Sequence, residues 1–422
     1  MLRKSGGFVM VAVIATIMAA LPRVHAAPIT VRYATVCTPA EQVGYQALVD
    51  RFNQLNPDVQ VVMEVSSGGW QGHREKVLTQ IAGDKAPDII RVSNDMFPEF
   101  QGKGLLASLT PYIKRAGIDL KDYVSASLKC FEVAEELYAF PLGIKVTTVA
   151  YNADLFEKYG VAFPTKEWRW SQEFRNAARK LTRLESDLQA TPTYGTSDTF
   201  WDTGNHLYDI VWSYGGEIFS EDFRQFLLGS PKSLEAVECL WAIQFEDRAT
   251  QKGSALTAFM NGQLAMWHTG IWELPRLLKE AKFTWGLAPK PQGPAGRAAV
   301  VYGSAYAICS QSKNKDAAWR FIQFVMSPEG QRVAAQYLIE GFPLHTKFWS
   351  GFIEAAQGKD LSAFVVALEA GRPLKLPPDM AEILAAMNKS GWQEMRQGII
   401  PPKVALAKIT PAVNAVLQSR QF

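Results

Sequence analysis

Residues 29–92 read ITVRYATVCTPAEQVGYQALVDRFNQLNPDVQVVMEVSSGGWQGHREKVLTQIAGDKAPDIIRV. The first seven alternate and are rich in β-formers, which predicts a strand. Pro39-Ala40-Glu41 opens a helix running through Phe52, with apolar positions at Val43, Ala47, Leu48 and Phe52, and Asn56-Pro57 stops it. A second strand is expected over 59–65, ending in Ser66-Ser67-Gly68-Gly69-Trp70, then a helix through Ile81. Residues 88–92 are a short strand of the fully buried kind. Strand, helix, strand, helix, strand in that order implies an α/β fold with a parallel sheet and right-handed crossovers.

Outward from this unit the alternation continues. A strand is expected over 147–151, and Ala153 begins a helix. Trp170-Ser171-Gln172-Glu173 reads as a cap leading into a helix over 174–184. Residues 202–214 are helical up to Gly215-Gly216, and 233–245 form an amphipathic helix. Strands over 283–288 and 304–308 flank the Pro/Gly-rich loop 289–296. A helix over 316–326 ends at Ser327-Pro328, and the tail 378–418 is helical with a break at Pro401-Pro402. A chain of 422 residues is long enough for about two domains. No flexible linker separates them, so strands have to cross between them.

The N-terminal segment reads as an address. Arg3 and Lys4 precede an uncharged apolar run over 8–21; Pro22 breaks it, and Val24-His25-Ala26 offers a small-x-small cleavage site. This predicts a secretory signal peptide over 1–26 and a soluble mature chain from about Ala27. The run is shorter than the roughly 20 apolar residues of a spanning helix. A lipid anchor would need a cysteine at the cleavage point, and the nearest is Cys37. The four cysteines, Cys37, Cys130, Cys239 and Cys309, form no C-x-x-C pair, against zinc and thioredoxin-like chemistry. Export leaves a disulfide open, while apolar runs around Cys239 and Cys309 favour buried thiols. The net charge is only +3 and no basic block stands out, which argues against nucleic acid as a partner.

Signatures of catalysis are missing: no P-loop, no G-x-G-x-x-G after a strand, no H-E-x-x-H and no G-x-S-x-G. Glu135-Glu136 reads as a solvated turn, and the five histidines are isolated from one another. Tryptophans, in contrast, occupy junctions. Trp70 follows two glycines between a strand and a helix, Trp201 precedes a helix, Trp267 and Trp272 bracket Thr269-Gly270, and Trp392 sits one turn before Arg396. A flat aromatic face matches the C–H face of a sugar ring; carboxylates, amides and Arg match its hydroxyls. Trp241 and Trp319 lie in helical stripes and read as core, and Trp168 and Trp170 as packing for a loop.

Several segments together resemble a known family. They are LTQIAGDKAPDI (78–89), YAFP (138–141) followed by VAYNADLF (149–156), FMNGQLAM (259–266) with Gly270-Ile271-Trp272, and the helix over 317–326 with Ser327-Pro328-Glu329-Gly330. In this order they resemble the extracellular (periplasmic) solute-binding proteins of ATP-binding-cassette sugar importers, the group that includes maltose-binding protein. The resemblance implies a two-lobed periplasmic-binding-protein fold of type II, with an interlobe ligand cleft and a hinge of crossing strands. On this chain lobe 1 would be 27–142 with 287–310, and lobe 2 would be 143–286 with 311–422. Hinges are expected at 141–146, 284–288 and 309–313. It further implies a non-enzymatic, monomeric periplasmic protein that carries a carbohydrate to a membrane permease, with no cofactor and no metal.

The resemblance also names candidate ligand-binding residues. Thr38, Glu41 and Gln42 follow the first strand, Trp70 the second, and Asn94 and Asp95 the third. Lys145 stands at the hinge where maltose-binding protein has an acidic residue, a departure that argues against a maltodextrin. Gly270 and Trp272 lie in the most specific motif; Tyr302, Gly303 and Ser304 precede a returning strand; and Trp392 and Arg396 match a Trp–Arg pair. Trp201, Asp202 and His206 complete the set. Two other readings stay open: a non-sugar solute such as a glycerophosphodiester or polyamine, and an exported carbohydrate-active enzyme. Lys145, Arg91 and Arg396 would serve an anion; Asp95 and Glu41 would serve a cation.

Overall fold

The computed structural model describes residues 27–141, 143–184, 192–339 and 341–419. The expected signal peptide, 1–26, lies outside them. The strands in chain order are β1 (Ile29–Thr35), β2 (Val59–Val65), β3 (Ile89–Ser93), the short hairpin β4 (Glu132–Val133) and β5 (Glu136–Leu137), β6 (Ala139–Pro141), β7 (Gly143–Asn152), β8 (Tyr194–Ser197), β9 (Thr250–Gln251), β10 (Leu264–Gly270), β11 (Trp285–Ala288), β12 (Ala299–Tyr302), β13 (Ser304–Ile308), β14 (Phe342–Pro343) and β15 (Gly371–Pro373).

They form two large sheets. The first has the order β2-β1-β3-β13-β6. Its β1, β2 and β3 run parallel, as the alternating strands and helices of 29–92 require, while β13 enters antiparallel between β3 and β6. The helix Pro39–Leu55 covers it, opened by a capping box in which Thr38 and Glu41 exchange side-chain-to-backbone bonds. Its buried face is Tyr45, Leu48, Val49 and Phe52, at helical spacing. Val43, expected on that face, is exposed, because the stripe that meets the sheet is offset from it.

The second sheet is built on β7, ten residues long. β7 pairs with β10 over 147–151, and with β14, β12 and β11 at successive positions along its length. The sheet extends through β10-β8-β9 on one side and β12-β15 on the other. All pairings to β7 are antiparallel, whereas β8 with β10, β8 with β9 and β12 with β15 are parallel, so this sheet is mixed. A second core cluster, with Trp170, Phe174, Phe200, Trp201, Leu240 and Ile409, packs on one face of it.

Among the described residues the chain crosses between sheets at three places: Pro141 to Gly143, Tyr302 to Ser304, and from helix Pro328–Gln336 to β14. The first lies within the expected hinge 141–146. The other two do not match expectation. β11 stays in the second sheet on β7, so 284–288 is not a crossing and the lobe boundary near 287 moves to Gly303. The helix Lys315–Met326 returns to the first sheet, where Phe321 packs on Tyr33, Phe52 and Tyr306. Residues 309–313 therefore stay with lobe 1, and so does 315–336 of the stretch expected in lobe 2.

Candidate functional site

A cleft of about 440 Å³ lies between the sheets, within the range of small-molecule sites. It opens at the C-terminal ends of β2 and β3, where open α/β sheets bind ligands. Lobe 1 contributes Trp70, Gln71, Arg74, Ser93, Asn94, Asp95 and Glu99. The facing wall contributes Lys145, residues 202–205, Tyr302, Gly303, Leu376, Pro378, Met380, Ala381 and Leu384.

Trp70 is placed by a backbone turn. Gly68 and Gly69 have φ of 77° and 64°, a conformation that costs glycine little, and they start the helix Gly69–Ala82. Arg91 stands over the indole, its guanidinium carbon 5.0 Å from the ring centroid, and over Tyr45 at 4.6 Å. That guanidinium is buried: Nε donates to Ser304 Oγ at 3.0 Å, and Nη1 donates to the Val36 carbonyl. Beneath it, His73 Nε2 lies 2.9 Å from the Arg91 carbonyl, which can only accept, so Nδ1 accepts from Ser66 Oγ at 2.9 Å. Burial pushes the His73 pKa down to about 4, helped by the charges of Arg91 and Lys76. Trp70 thus rests on a buried, hydrogen-bonded platform.

The polar groups of the cleft are also held. Asn94 is a clamp: its amide donates to the Leu374 carbonyl at 3.0 Å and its oxygen accepts from Gly303 N–H at 2.6 Å, tying β3 to the crossing. Ser93 donates to Asp95. Arg74 pairs with Glu99 at 2.5 Å, and Lys103 with the same carboxylate at 2.6 Å. Asp202 accepts from Gly204 N–H at 2.7 Å, and the Asn205 amide donates to the Tyr302 hydroxyl at 3.3 Å. Behind Tyr302 stands Trp272, edge to face at 5.4 Å.

Of the residues singled out in the sequence, the structure thus brings Trp70, Asn94, Asp95, Lys145, Asp202, Tyr302 and Gly303 into one cleft, with Trp272 against Tyr302. Gly270 is buried and leaves room for the Trp272 ring, which a Cβ there would overlap. The others lie elsewhere. Thr38 and Glu41 form the capping box, and Gln42 is exposed beside them. Ser304 is buried under Arg91. Trp201 and Trp392 meet edge to face at 5.9 Å in the second core; Trp201 Nε1 donates to Gln244 Oε1, and the Gln244 amide donates to the Arg396 carbonyl at 3.2 Å. Local sequence carries the same signal for these tryptophans as for Trp70; only packing separates them.

His206 belongs to a buried polar cluster that sequence reading missed. Lys290 Nζ lies 3.1 Å from Asp209 Oδ2, from His206 Nδ1 and from His268 Nδ1. Asp209 Oδ1 accepts from Thr147 Oγ1 at 2.7 Å and from Val300 N–H at 2.8 Å, so the cluster bonds β7 to β12. Burial raises the carboxyl of Asp209, yet Lys290 and His206 hold it below its usual value. Burial and Lys290 push His206 and His268 down, so both imidazoles are neutral at pH 7. Lys290 sits among prolines in a loop, where a sequence gives a lysine no reason to be buried.

No group of three or more His, Cys, Asp or Glu is placed to hold a metal among the described residues, and no described helix is long and apolar enough to cross a membrane. No described cysteine is in a disulfide, and burial pushes the Cys130 thiol up to about 12. Two lobes, three crossings and a cleft walled by both describe a binding architecture, and the sequence comparison decides which. Residues 38–332 match the bacterial extracellular solute-binding proteins. The chain belongs to that family.

This solute-binding protein is 25% identical over 386 residues to a binding protein of Brucella abortus, covering 89% of this chain and 90% of that one. It is 24% identical over 272 residues to the diacetylchitobiose binding protein DasA of Streptomyces coelicolor, covering 61% and 60%. In fold it is similar to a substrate-binding protein of Listeria monocytogenes in complex with cycloalternan, with a TM-score of 0.81, 24% identity, and coverage of 93% of this chain and all of that one. A cyclic α-maltosyl-1,6-maltose binding protein of Arthrobacter globiformis gives a TM-score of 0.77 at 19% identity, with coverage of 93% and 100%.

Proposed function

We propose that this chain is the periplasmic binding component of an ATP-binding-cassette carbohydrate importer. It takes a mono- or oligosaccharide between its lobes and presents it, as a monomer, to the membrane permease. The observation that carries the reading is the cleft itself. Trp70 offers an indole to a sugar's C–H face, and Asn94, Asp95, Lys145, Asp202, Asn205 and Tyr302 surround it with groups that hydrogen-bond hydroxyls. Relatives named for diacetylchitobiose and maltooligosaccharides support the same class. Export through residues 1–26 would deliver the chain to the compartment where such a protein works.

Closure of the two lobes on the ligand, turning at the three crossings, would give the permease a shape to distinguish loaded from empty protein. The test is a thermal-shift panel of neutral mono- and disaccharides, phosphorylated solutes and polyamines. A true ligand at about 100 times its Kd adds roughly 2.7 kcal/mol of stability. A shift with neutral sugars, abolished by Trp70→Ala, is expected. A shift only with phosphorylated or cationic solutes would replace the carbohydrate reading, and release of cleaved product from an oligosaccharide would favour an enzyme.

A further inference from the structure

The helix Met380–Lys389, MAEILAAMNK, turns apolar side chains both to the second core and to the cleft. Ile383 and Met387, one turn apart, are buried in the second core. Met380 and Leu384 lie beside that stripe, partly buried against the same core, and with Ala381 they also line the cleft. Leu376 and Pro378 lengthen the same wall. The wall facing Trp70 is therefore divided: Lys145, residues 202–205 and Tyr302 offer polar groups, and Leu376, Pro378, Met380, Ala381 and Leu384 form an aliphatic patch beside them. A bare sugar can set one apolar face on Trp70. Any hydroxyl set against the aliphatic patch, and not against the polar part of that wall, would lose water without gaining partners.

We propose that the ligand is a short glycoside bearing an apolar substituent, the sugar lying on Trp70 and the substituent on Met380 and Leu384. This rests on the carbohydrate reading above and narrows it from sugars in general to those with an acyl, alkyl or aryl group.

Isothermal titration of the mature full-length chain tests it with maltose, cellobiose and chitobiose, each as the free disaccharide and as its butyl glycoside. A buried methylene is worth about fourfold in affinity, so at least one butyl glycoside is expected to bind about tenfold or more tighter than its parent. In Leu384→Gln and in Met380→Gln, both at half-buried positions, that ratio is expected to fall to about twofold or less. Equal binding of parent and butyl glycoside by the wild type overturns this inference and leaves the carbohydrate reading standing. So does a butyl preference that both variants retain. If no disaccharide binds in either form, the carbohydrate reading fails first and this inference falls with it.

Discussion

Gly270 has no side chain because Trp272 occupies the space, and Trp272 in turn backs Tyr302 in the cleft wall. Gly270→Ala is expected to displace the indole, lower stability by about 1–3 kcal/mol and weaken ligand binding; thermal unfolding and titration calorimetry check both. Asn94 joins two backbone groups that have no water to turn to. Asn94→Ala leaves the Gly303 N–H and the Leu374 carbonyl without that partner, at about 1–3 kcal/mol for each buried group. A denaturation midpoint unchanged from wild type would remove Asn94 from the hinge. His73 makes stability depend on pH. Its folded pKa of about 4 lies below the unfolded value of about 6.5, so between the two the unfolded chain takes up a proton that the folded chain refuses. The contribution is complete above pH 6.5 and is lost as pH falls through 4, up to about 3 kcal/mol. His73→Gln can keep both hydrogen bonds, and urea midpoints from pH 7 to 4 are expected to fall less steeply in that variant.

At the scale of elements, β7 and β12 are joined by the Asp209–Lys290 cluster as well as by their ladder. Lys290→Met leaves the Asp209 carboxylate buried without its cation, a loss of about 3–5 kcal/mol. Adding Asp209→Asn removes the stranded charge, so the double variant is expected to be more stable than Lys290→Met alone in urea; equal stability would show that the pair is not coupled. The crossings show where local sequence stops being informative. β12 and β13 flank a single Gly303 and read as one apolar run, yet they belong to different sheets. Nothing in 315–326 says which sheet the helix covers, since an amphipathic stripe specifies that it is buried and not against what.

At the scale of the molecule, a bound sugar is expected to draw the lobes together, seen as a smaller radius of gyration in solution scattering on adding saturating ligand. No change on binding would mean that the cleft is already closed around its site. All four thiols are expected to react with a thiol reagent in unreduced, denatured protein, since the structure holds none of them in a disulfide. The sequence by itself determined the alternating α/β plan, the parallel β1–β3 unit and the junction that carries Trp70, because strand and helix periods and Gly-Gly turns are local signals. Tertiary structure alone decided which aromatics face the ligand. Trp70, Trp201 and Trp392 stand at similar junctions, but two of them meet in the core while the third rests on buried Arg91 at the cleft. It also decided the partners of Asp209 and Lys290, 81 positions apart in the chain by their numbering, which are neighbours only because the second lobe folds. Burial and long-range pairing are properties of the packed chain, and no window of sequence contains them.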